Sequence, residues 1–143
     1  MSLKVRVEAA VKPTEDTAKV ERALRKFFPT GQIEKSEQPN GSLSLRIQGN
    51  GYDSLSTLRS LIKQERIRSA ARAILLRKLR EPPLRFYLNK QAAFMGRVSF
   101  CEPIGESAHG PITVEIDSED PQAVVDYLAT PAPNAEPKGG RRR

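Results

Sequence analysis

Basic side chains at helical spacing are the residues of this sequence with the clearest chemical potential. Arg59, Lys63 and Arg66 follow one another at intervals of four and three residues, and Arg68 and Arg72 repeat the interval of four. Residues three or four apart lie on the same side of an α-helix, so each set forms a row of cations. Such a row can contact successive phosphates of a nucleic acid and release their counterions. Arginine also binds phosphate through two parallel hydrogen bonds.

The net charge of +7 is unevenly distributed along the chain. Residues 59–97 carry 11 basic and 2 acidic side chains, whereas residues 98–130 carry 7 acidic side chains and no lysine or arginine. This separation makes a polyanion a candidate partner for one surface. In the alternative interpretation, the basic helix faces are solvated, or they pair with the acidic region of the same or of a second molecule.

The sequence contains no catalytic motif. The single histidine, His109, lies in a Gly-Pro loop without a cysteine at metal-ligand spacing, and Cys101 lies at a strand end without a base to activate it. The acidic residues 115–120 begin on a predicted strand, which does not supply the fixed oxygen positions of a calcium loop. No phosphate-binding glycine loop is present. We therefore predict a protein that is not an enzyme and that has no cofactor and no metal site.

Length and composition indicate a small globular protein. The 143 residues suit one domain, which we place at 1–130, and the Pro/Gly/Arg-rich residues 131–143 offer nothing to bury and are predicted to be a disordered tail. No apolar run approaches the length of a membrane span, and the N-terminus alternates instead of resembling a signal peptide. One cysteine excludes an internal disulfide, so we predict a reducing, intracellular setting.

Hydrophobic periodicity in the first half predicts a strand, a helix and a hairpin. Leu3–Val11 alternates between apolar and polar residues, as a half-buried strand does. A helix over 14–28 should follow, with Thr14 as N-cap and Glu15 and Asp16 in its first turn. The turn signal Pro39-Asn-Gly41 should join a weakly apolar strand over 32–38 to an alternating strand over 42–48.

The second half predicts the basic helical region and three further strands. Asp53 or Ser54 should cap a helix whose apolar stripe loses phase at Glu65, which indicates two helices or a kink near 64–66. The remaining predicted elements are a strand over 84–89, a helical turn over 90–95, strands over 97–101 and 111–117, and a final helix capped by Asp120 with Pro121 at its first position. Together they predict an α+β fold, a mainly antiparallel sheet with helices packed on one face.

Arg85 and Tyr87 project from the polar side of the predicted strand over 84–89. An exposed aromatic ring beside basic residues can stack an unpaired base. The alternative is that Tyr87 packs beneath a helix.

Several segments resemble an archaeal family of uncharacterised proteins that are predicted to bind RNA. The most distinctive is Leu88-Asn-Lys-Gln-Ala-Ala-Phe94, within a longer match over 86–96. Further matching segments are Gln64-Glu-Arg-Ile-Arg-Ser-Ala-Ala-Arg72, Val11-Lys-Pro-Thr-Glu15, Gly110-Pro-Ile-Thr-Val114 and Asp126-Tyr-Leu-Ala129. The resemblance covers about 1–130 in order and excludes the tail. Ser69 stands where the family often has an acidic residue.

This resemblance implies a fold similar to large-subunit ribosomal protein five, a cytoplasmic and dimeric protein, RNA binding and no known enzymatic activity. We therefore predict a small non-catalytic RNA-binding domain that contacts phosphates through basic helices over 59–80 and the 89–91 turn, with little base readout. The predicted RNA-binding residues are Lys63, Arg66, Arg68, Arg72, Arg85, Tyr87, Lys90 and Gln91. The alternative is a homodimeric interaction module in which the basic stretch pairs with the acidic region 98–130.

Overall fold

Six β-strands form one antiparallel sheet in the described part of the chain, in the order β2-β3-β1-β6-β4-β5. The structure is a computed structural model and describes residues 3–39, 41–102 and 110–131. The strands are β1 Leu3–Val11, β2 Ile33–Glu37, β3 Leu43–Asn50, β4 Leu84–Leu88, β5 Phe100–Cys101 and β6 Ile112–Ser118. The predicted class, a mainly antiparallel α+β fold, is confirmed. The likeness to ribosomal protein five stays a prediction.

Helices cover one face of this sheet. They are α1 Thr17–Phe27, α2 Ser56–Gln64, α3 Arg68–Lys78, α4 Lys90–Phe94 and α5 Pro121–Leu128, with a 3-10 helix at Tyr52–Leu55. Every second residue of β1 is buried and every other one is exposed, because only one side of the strand faces the helices. We call the other side, formed by the outward side chains of β1, β3, β4 and β6, the open face.

Strand β1 organises the core because it lies between β3 and β6. Val7 is opposite Ile47 on one side and Val114 on the other, and none of these three side chains is more than 2% exposed. The helices contribute the facing layer of the core through their apolar stripes, which include Leu24 of α1, Leu58 of α2 and Leu75 of α3. The alternation read from the sequence thus assigns the buried side of β1 correctly.

Helix α1 begins at Thr17, later than predicted, and the prediction of Thr14 as N-cap was wrong. Asp16 is the N-cap, and its carboxylate accepts a hydrogen bond from the backbone N–H of Ala18 at 3.0 Å. Glu15 does not lie in the first turn of the helix. Its carboxylate turns back to accept from the N–H of Lys12 at 2.9 Å.

The predicted break at 64–66 is confirmed, and it separates α2 from α3. Arg66 adopts the left-handed conformation with φ 59°, which ends α2. Glu65, where the apolar stripe loses phase, accepts from the N–H of Val98 at 3.1 Å. Neither predicted cap of α2 was correct, because the 3-10 helix precedes it and Leu55 occupies the cap position without a side-chain hydrogen bond.

The later elements follow the prediction with one exception. Asp120 caps α5 through Ala123 N–H at 3.1 Å, and α4 forms the predicted helical turn. The strand predicted over 97–101 is reduced to β5, because the N–H of Arg97 bonds to Ala92 O and that of Val98 to Glu65. Asn40, His109 and the tail from 132 onward lie outside the described residues. Among the described helices, none is long and apolar enough to cross a membrane.

Candidate nucleic-acid interface

The predicted RNA-binding residues do not form one surface. Those of α2, α3 and the junction between them lie in the helical layer, whereas Arg85 and Tyr87 lie on β4 with side chains on the open face. Lys90 is in the interior, and Gln91 is exposed on α4. The sheet therefore separates two of the candidates from the main group, and one candidate is inaccessible.

The basic helix surface, as we name it, consists of Arg59 and Lys63 on α2, Arg66 at the junction, and Arg68 and Arg72 on α3. Lys63 and Arg66 are exposed, and Arg68 is partly exposed. Helix α3 begins beside these cations with Ile67 at its cap, a residue that supplies no side-chain acceptor. The partial positive charge of that helix terminus therefore adds to the charges of Arg66 and Arg68.

Arg72 belongs to this surface but is occupied by contacts within the chain. Its Nη1 lies 2.7 Å from Asp126 Oδ1 and donates to Ala129 O at 3.1 Å, so it joins α3 to the end of α5. Lys78 likewise lies 3.5 Å from Glu102. The pairing of basic helices with the acidic region therefore occurs within one molecule at these positions. Arg72, unlike Lys63, has a charge that is already compensated.

Arg59 is held in place without being neutralised. Its Nε donates to Tyr127 O at 2.9 Å, and its guanidinium lies over the Tyr127 ring, 5.0 Å from the centroid. The ring of Tyr52 packs against that of Tyr127 with centroids 4.9 Å apart and planes tilted by 57°. The sequence places Arg59 in the row on α2, but we did not include it among the predicted binding residues. No sequence signal brings Tyr52 and Tyr127 together, because they meet only in the fold.

The open face carries cations that are matched by anions. Glu115 lies 2.7 Å from Arg6 and accepts from Arg85 Nε at 2.9 Å, and this hydrogen bond and charge raise the pKa of Arg85. Glu8 accepts from the Ser44 hydroxyl at 2.8 Å and lies 3.5 Å from Arg46. A depression of about 220 Å³ on this face has a lining of mixed charge that includes Arg6, Glu8, Arg46 and Glu115. Within the described residues, no three His, Cys, Asp or Glu side chains are grouped so that they could hold a metal ion.

Tyr87 is partly buried on the same strand as Arg85, and Lys78 Nζ lies over its ring at 5.8 Å from the centroid. Lys78 from α3 is thus one neighbour of the ring, and Glu102 lies beside that cation. This corner is separate from the basic helix surface.

The prediction that Lys90 contacts phosphate was wrong. The side chain is 0% exposed, and its Nζ donates to Ala10 O at 2.6 Å and lies 3.2 Å from Glu15 Oε1. Burial lowers the pKa of Lys90 because it disfavours the charged ammonium, and the negative charge of Glu15 opposes this shift. Asn89 is the N-cap of α4 and accepts from Ala92 N–H at 2.9 Å. The distinctive 88–94 segment therefore builds a corner of the fold.

Comparisons with known proteins identify the family. A family model described as RNA binding matches residues 4–130. A UPF0201 protein of Sulfolobus acidocaldarius is 42% identical over 125 residues, which are 87% of this chain and 86% of that protein. A UPF0201 protein of Methanothermobacter thermautotrophicus is also 42% identical, over 88% of this chain and 90% of that protein. The crystal structure of a UPF0201 protein from Methanococcus jannaschii superposes with a TM-score of 0.78 at 33% identity, covering 88% of this chain and 98% of that one.

The resemblance seen in the sequence is thereby confirmed, and these matches span nearly the whole described chain. The chain belongs to the family described as RNA binding, whose relatives named above are archaeal UPF0201 proteins.

Proposed function

We propose that this protein is a small non-catalytic RNA-binding domain that contacts phosphates through the basic helix surface. The observation that carries the proposal is the match of the RNA-binding family model to residues 4–130. The distribution of unpaired charge supports the location. Lys63, Arg66 and Arg68 have no ion-pair partner among the described residues, whereas Arg6, Arg46 and Arg85 on the open face each have one.

Uncompensated cations favour a polyanion because each phosphate contact releases counterions into the solvent. A cation already paired with a carboxylate must lose that partner before it gains a phosphate. The open face, whose arginines are paired, is therefore the weaker candidate, and we place Arg85 and Tyr87 outside the proposed surface. Contacts made by lysine and arginine along a helix face read the phosphate backbone, so we expect little sequence specificity.

The ion pairs within the chain count against the homodimer alternative. That alternative uses pairs between the basic stretch and the acidic region of a second molecule. The pairs Arg72–Asp126, Lys78–Glu102 and Arg85–Glu115 join the same two regions within one chain. Since these partners are already matched internally, fewer opposite charges are left to join two molecules, and RNA binding accounts better for the unpaired cations.

The test compares two single charge reversals in the full chain. Lys63→Glu acts on the basic helix surface and Lys4→Glu on the opposite, open face. Both lysines are exposed, and neither has an ion-pair partner among the described residues. Binding to a fluorescent RNA is measured from about 50 mM to 200 mM salt. We expect Lys63→Glu to lower the affinity for RNA about ten-fold at the lowest salt. The slope of log affinity against log salt concentration should fall by the amount expected for about one phosphate contact. Lys4→Glu should change both quantities little.

Two results would contradict the proposal in different ways. Absence of wild-type binding at the lowest salt would exclude an electrostatic RNA-binding function, because counterion release is strongest there. Equal losses in the two variants would exclude the basic helix surface as the location and would indicate a general effect of net charge.

A further inference from the structure

The surroundings of Arg59 differ from those of every other arginine of the basic helix surface. Its Nε is fixed on the carbonyl of Tyr127 and its guanidinium rests over the ring of the same residue. The ring of Tyr127 is supported in turn by Tyr52, which belongs to the 3-10 helix before α2. Three separate elements, the 3-10 helix, α2 and α5, thus contribute one side chain each to a small cluster of an arginine and two tyrosines.

The hydrogen-bonding groups of this cluster point to a ligand with both polar and aromatic parts. Among the described residues, none accepts a hydrogen bond from the terminal nitrogens of Arg59, although its Nε is bonded. The hydroxyl groups of Tyr52 and Tyr127 have no partner among those residues either. Arg59 is exposed, and both tyrosines are only partly buried. The fork of the guanidinium is therefore oriented by the fold and available to solvent.

Orientation of this kind has a physical consequence for binding. A free arginine loses side-chain entropy when it binds, and fixing its Nε removes part of that cost beforehand. Its remaining N–H groups match two oxygens of one phosphate. Aromatic rings and arginine guanidinium planes are also the groups on which unpaired bases stack, whereas the bases of a duplex are stacked on each other.

We infer that Arg59, Tyr127 and Tyr52 form a subsite for one unpaired nucleotide of RNA, in which Arg59 takes the phosphate and the tyrosine pair supports the base. This inference rests on the proposed function and adds to it a preference for single-stranded over duplex RNA. The row on α2 continues from Arg59 to Lys63, one helical turn away, so the adjoining phosphates of the strand run along the basic helix surface.

The test uses two substitutions that keep the charge. Arg59→Lys retains the cation but removes the planar fork and its fixed orientation. Arg22→Lys makes the same chemical change on α1, outside the basic helix surface, at an exposed arginine that has no ion-pair partner or ring contact among the described residues. Both variants are prepared in the full chain, and their affinities for a uridine-rich single strand and for a duplex of equal length are measured at one salt concentration.

We expect Arg59→Lys to lose about ten-fold in affinity for the single strand, which is within the range for one stacked base, and to change duplex binding little. Arg22→Lys should leave both affinities nearly unchanged. A second measurement needs no substitution. Ultraviolet crosslinking of the wild-type protein to a single strand containing 5-iodouridine should attach the RNA at Tyr52 or Tyr127.

The outcomes separate the subsite from the proposed function. RNA binding in which Arg59→Lys and Arg22→Lys behave alike, with crosslinks away from both tyrosines, overturns the subsite and leaves the proposed function standing. A crosslink at Tyr87 in place of these tyrosines also overturns the subsite and moves the contact to β4. If the wild type binds neither RNA, the proposed function and the subsite are both overturned.

Discussion

Replacing Lys90 by methionine should be among the most damaging single changes to the stability of this protein. The Lys90 ammonium is completely buried and is bonded to Ala10 O at 2.6 Å and paired with Glu15 at 3.2 Å. Methionine retains the apolar stem but removes the cation. The Glu15 side chain, only 8% exposed, then keeps its charge in the interior without this partner. Breaking a buried pair in this way costs about 3–5 kcal/mol of unfolding free energy.

A double-mutant cycle separates the ion pair from the packing of the lysine. Glu15→Gln removes the buried charge and keeps an oxygen that can accept from Lys12 N–H. The double mutant Glu15→Gln/Lys90→Met should lose about 2 kcal/mol less unfolding free energy than the sum of the two single losses. Lys26→Met is the matched control, because Lys26 also donates to a backbone carbonyl, Phe94 O at 2.7 Å, but from an exposed position. Its loss should stay below about 1 kcal/mol.

Urea unfolding measures the unfolding free energy of the wild type and of four variants, which are Lys90→Met, Glu15→Gln, their double mutant and Lys26→Met. The reasoning is refuted if Lys90→Met loses no more than Lys26→Met, or if the effects of Lys90→Met and Glu15→Gln are additive. Either result would mean that the pair is solvated in solution.

The pH dependence provides an independent check of the same pair. Because burial lowers the pKa of Lys90 in the folded protein, the folded state releases this proton at a lower pH than the unfolded chain does. Between the lowered pKa and the unfolded value the unfolded chain binds more protons, so this group makes stability rise with pH. Comparing wild type and Lys90→Met from neutral to alkaline pH should therefore show a rising term that only the wild type has. A stability difference between the two proteins that does not change with pH would contradict the lowered pKa of Lys90.

Two further substitutions test local roles read from the structure. Arg66→Gly should raise the unfolding free energy measured in urea by about 1 kcal/mol, because Arg66 has φ 59° and glycine has no Cβ to clash there. The same variant should bind RNA more weakly because it lacks a cation. A lower unfolding free energy would contradict the backbone-strain explanation. Asn89→Ala should lower the unfolding free energy by about 1 kcal/mol because α4 loses its N-cap, and Asn89→Asp should restore most of it. Equal stabilities of the alanine and aspartate variants would show that the cap contributes little.

The segment that identifies the family serves the fold more than the proposed interface. Asn89 caps α4, Lys90 bonds to Ala10 and Glu15, and Gly96 adopts φ 73° after the helix. Glu15 comes from another matching segment, 11–15, far away in the sequence. Two distinctive pieces therefore meet in one buried ion pair. The sequence showed both pieces but not that they are partners, because a pairing between residues 75 positions apart depends on how β1 and α4 pack.

Sequence periodicity was sufficient for most elements and their buried sides. The alternation of β1, the stripes of α1 and α2 and the break after Gln64 follow from residue spacing alone. Caps were less predictable. Thr14, Asp53 and Ser54 are all acceptable cap residues by type, but Glu15 turns towards Lys12 and Lys90, and a 3-10 helix occupies the start of α2. The choice among neighbouring caps depends on contacts that the local sequence does not contain.

For the candidate interface, the sequence determined the location of the charge, and the tertiary structure decided which charges are available. The excess of lysine and arginine over 59–97 is a property of composition. Lys63, Arg72 and Lys90 all belong to this stretch, yet Lys63 faces solvent, Arg72 is paired with Asp126, and Lys90 is buried. The physical reason is that the charge of a side chain is fixed by its type, whereas its solvation and its partners are fixed by elements distant in sequence. Arg59 is a further example, because the side chain keeps its charge available but takes its orientation from Tyr127, 68 residues away.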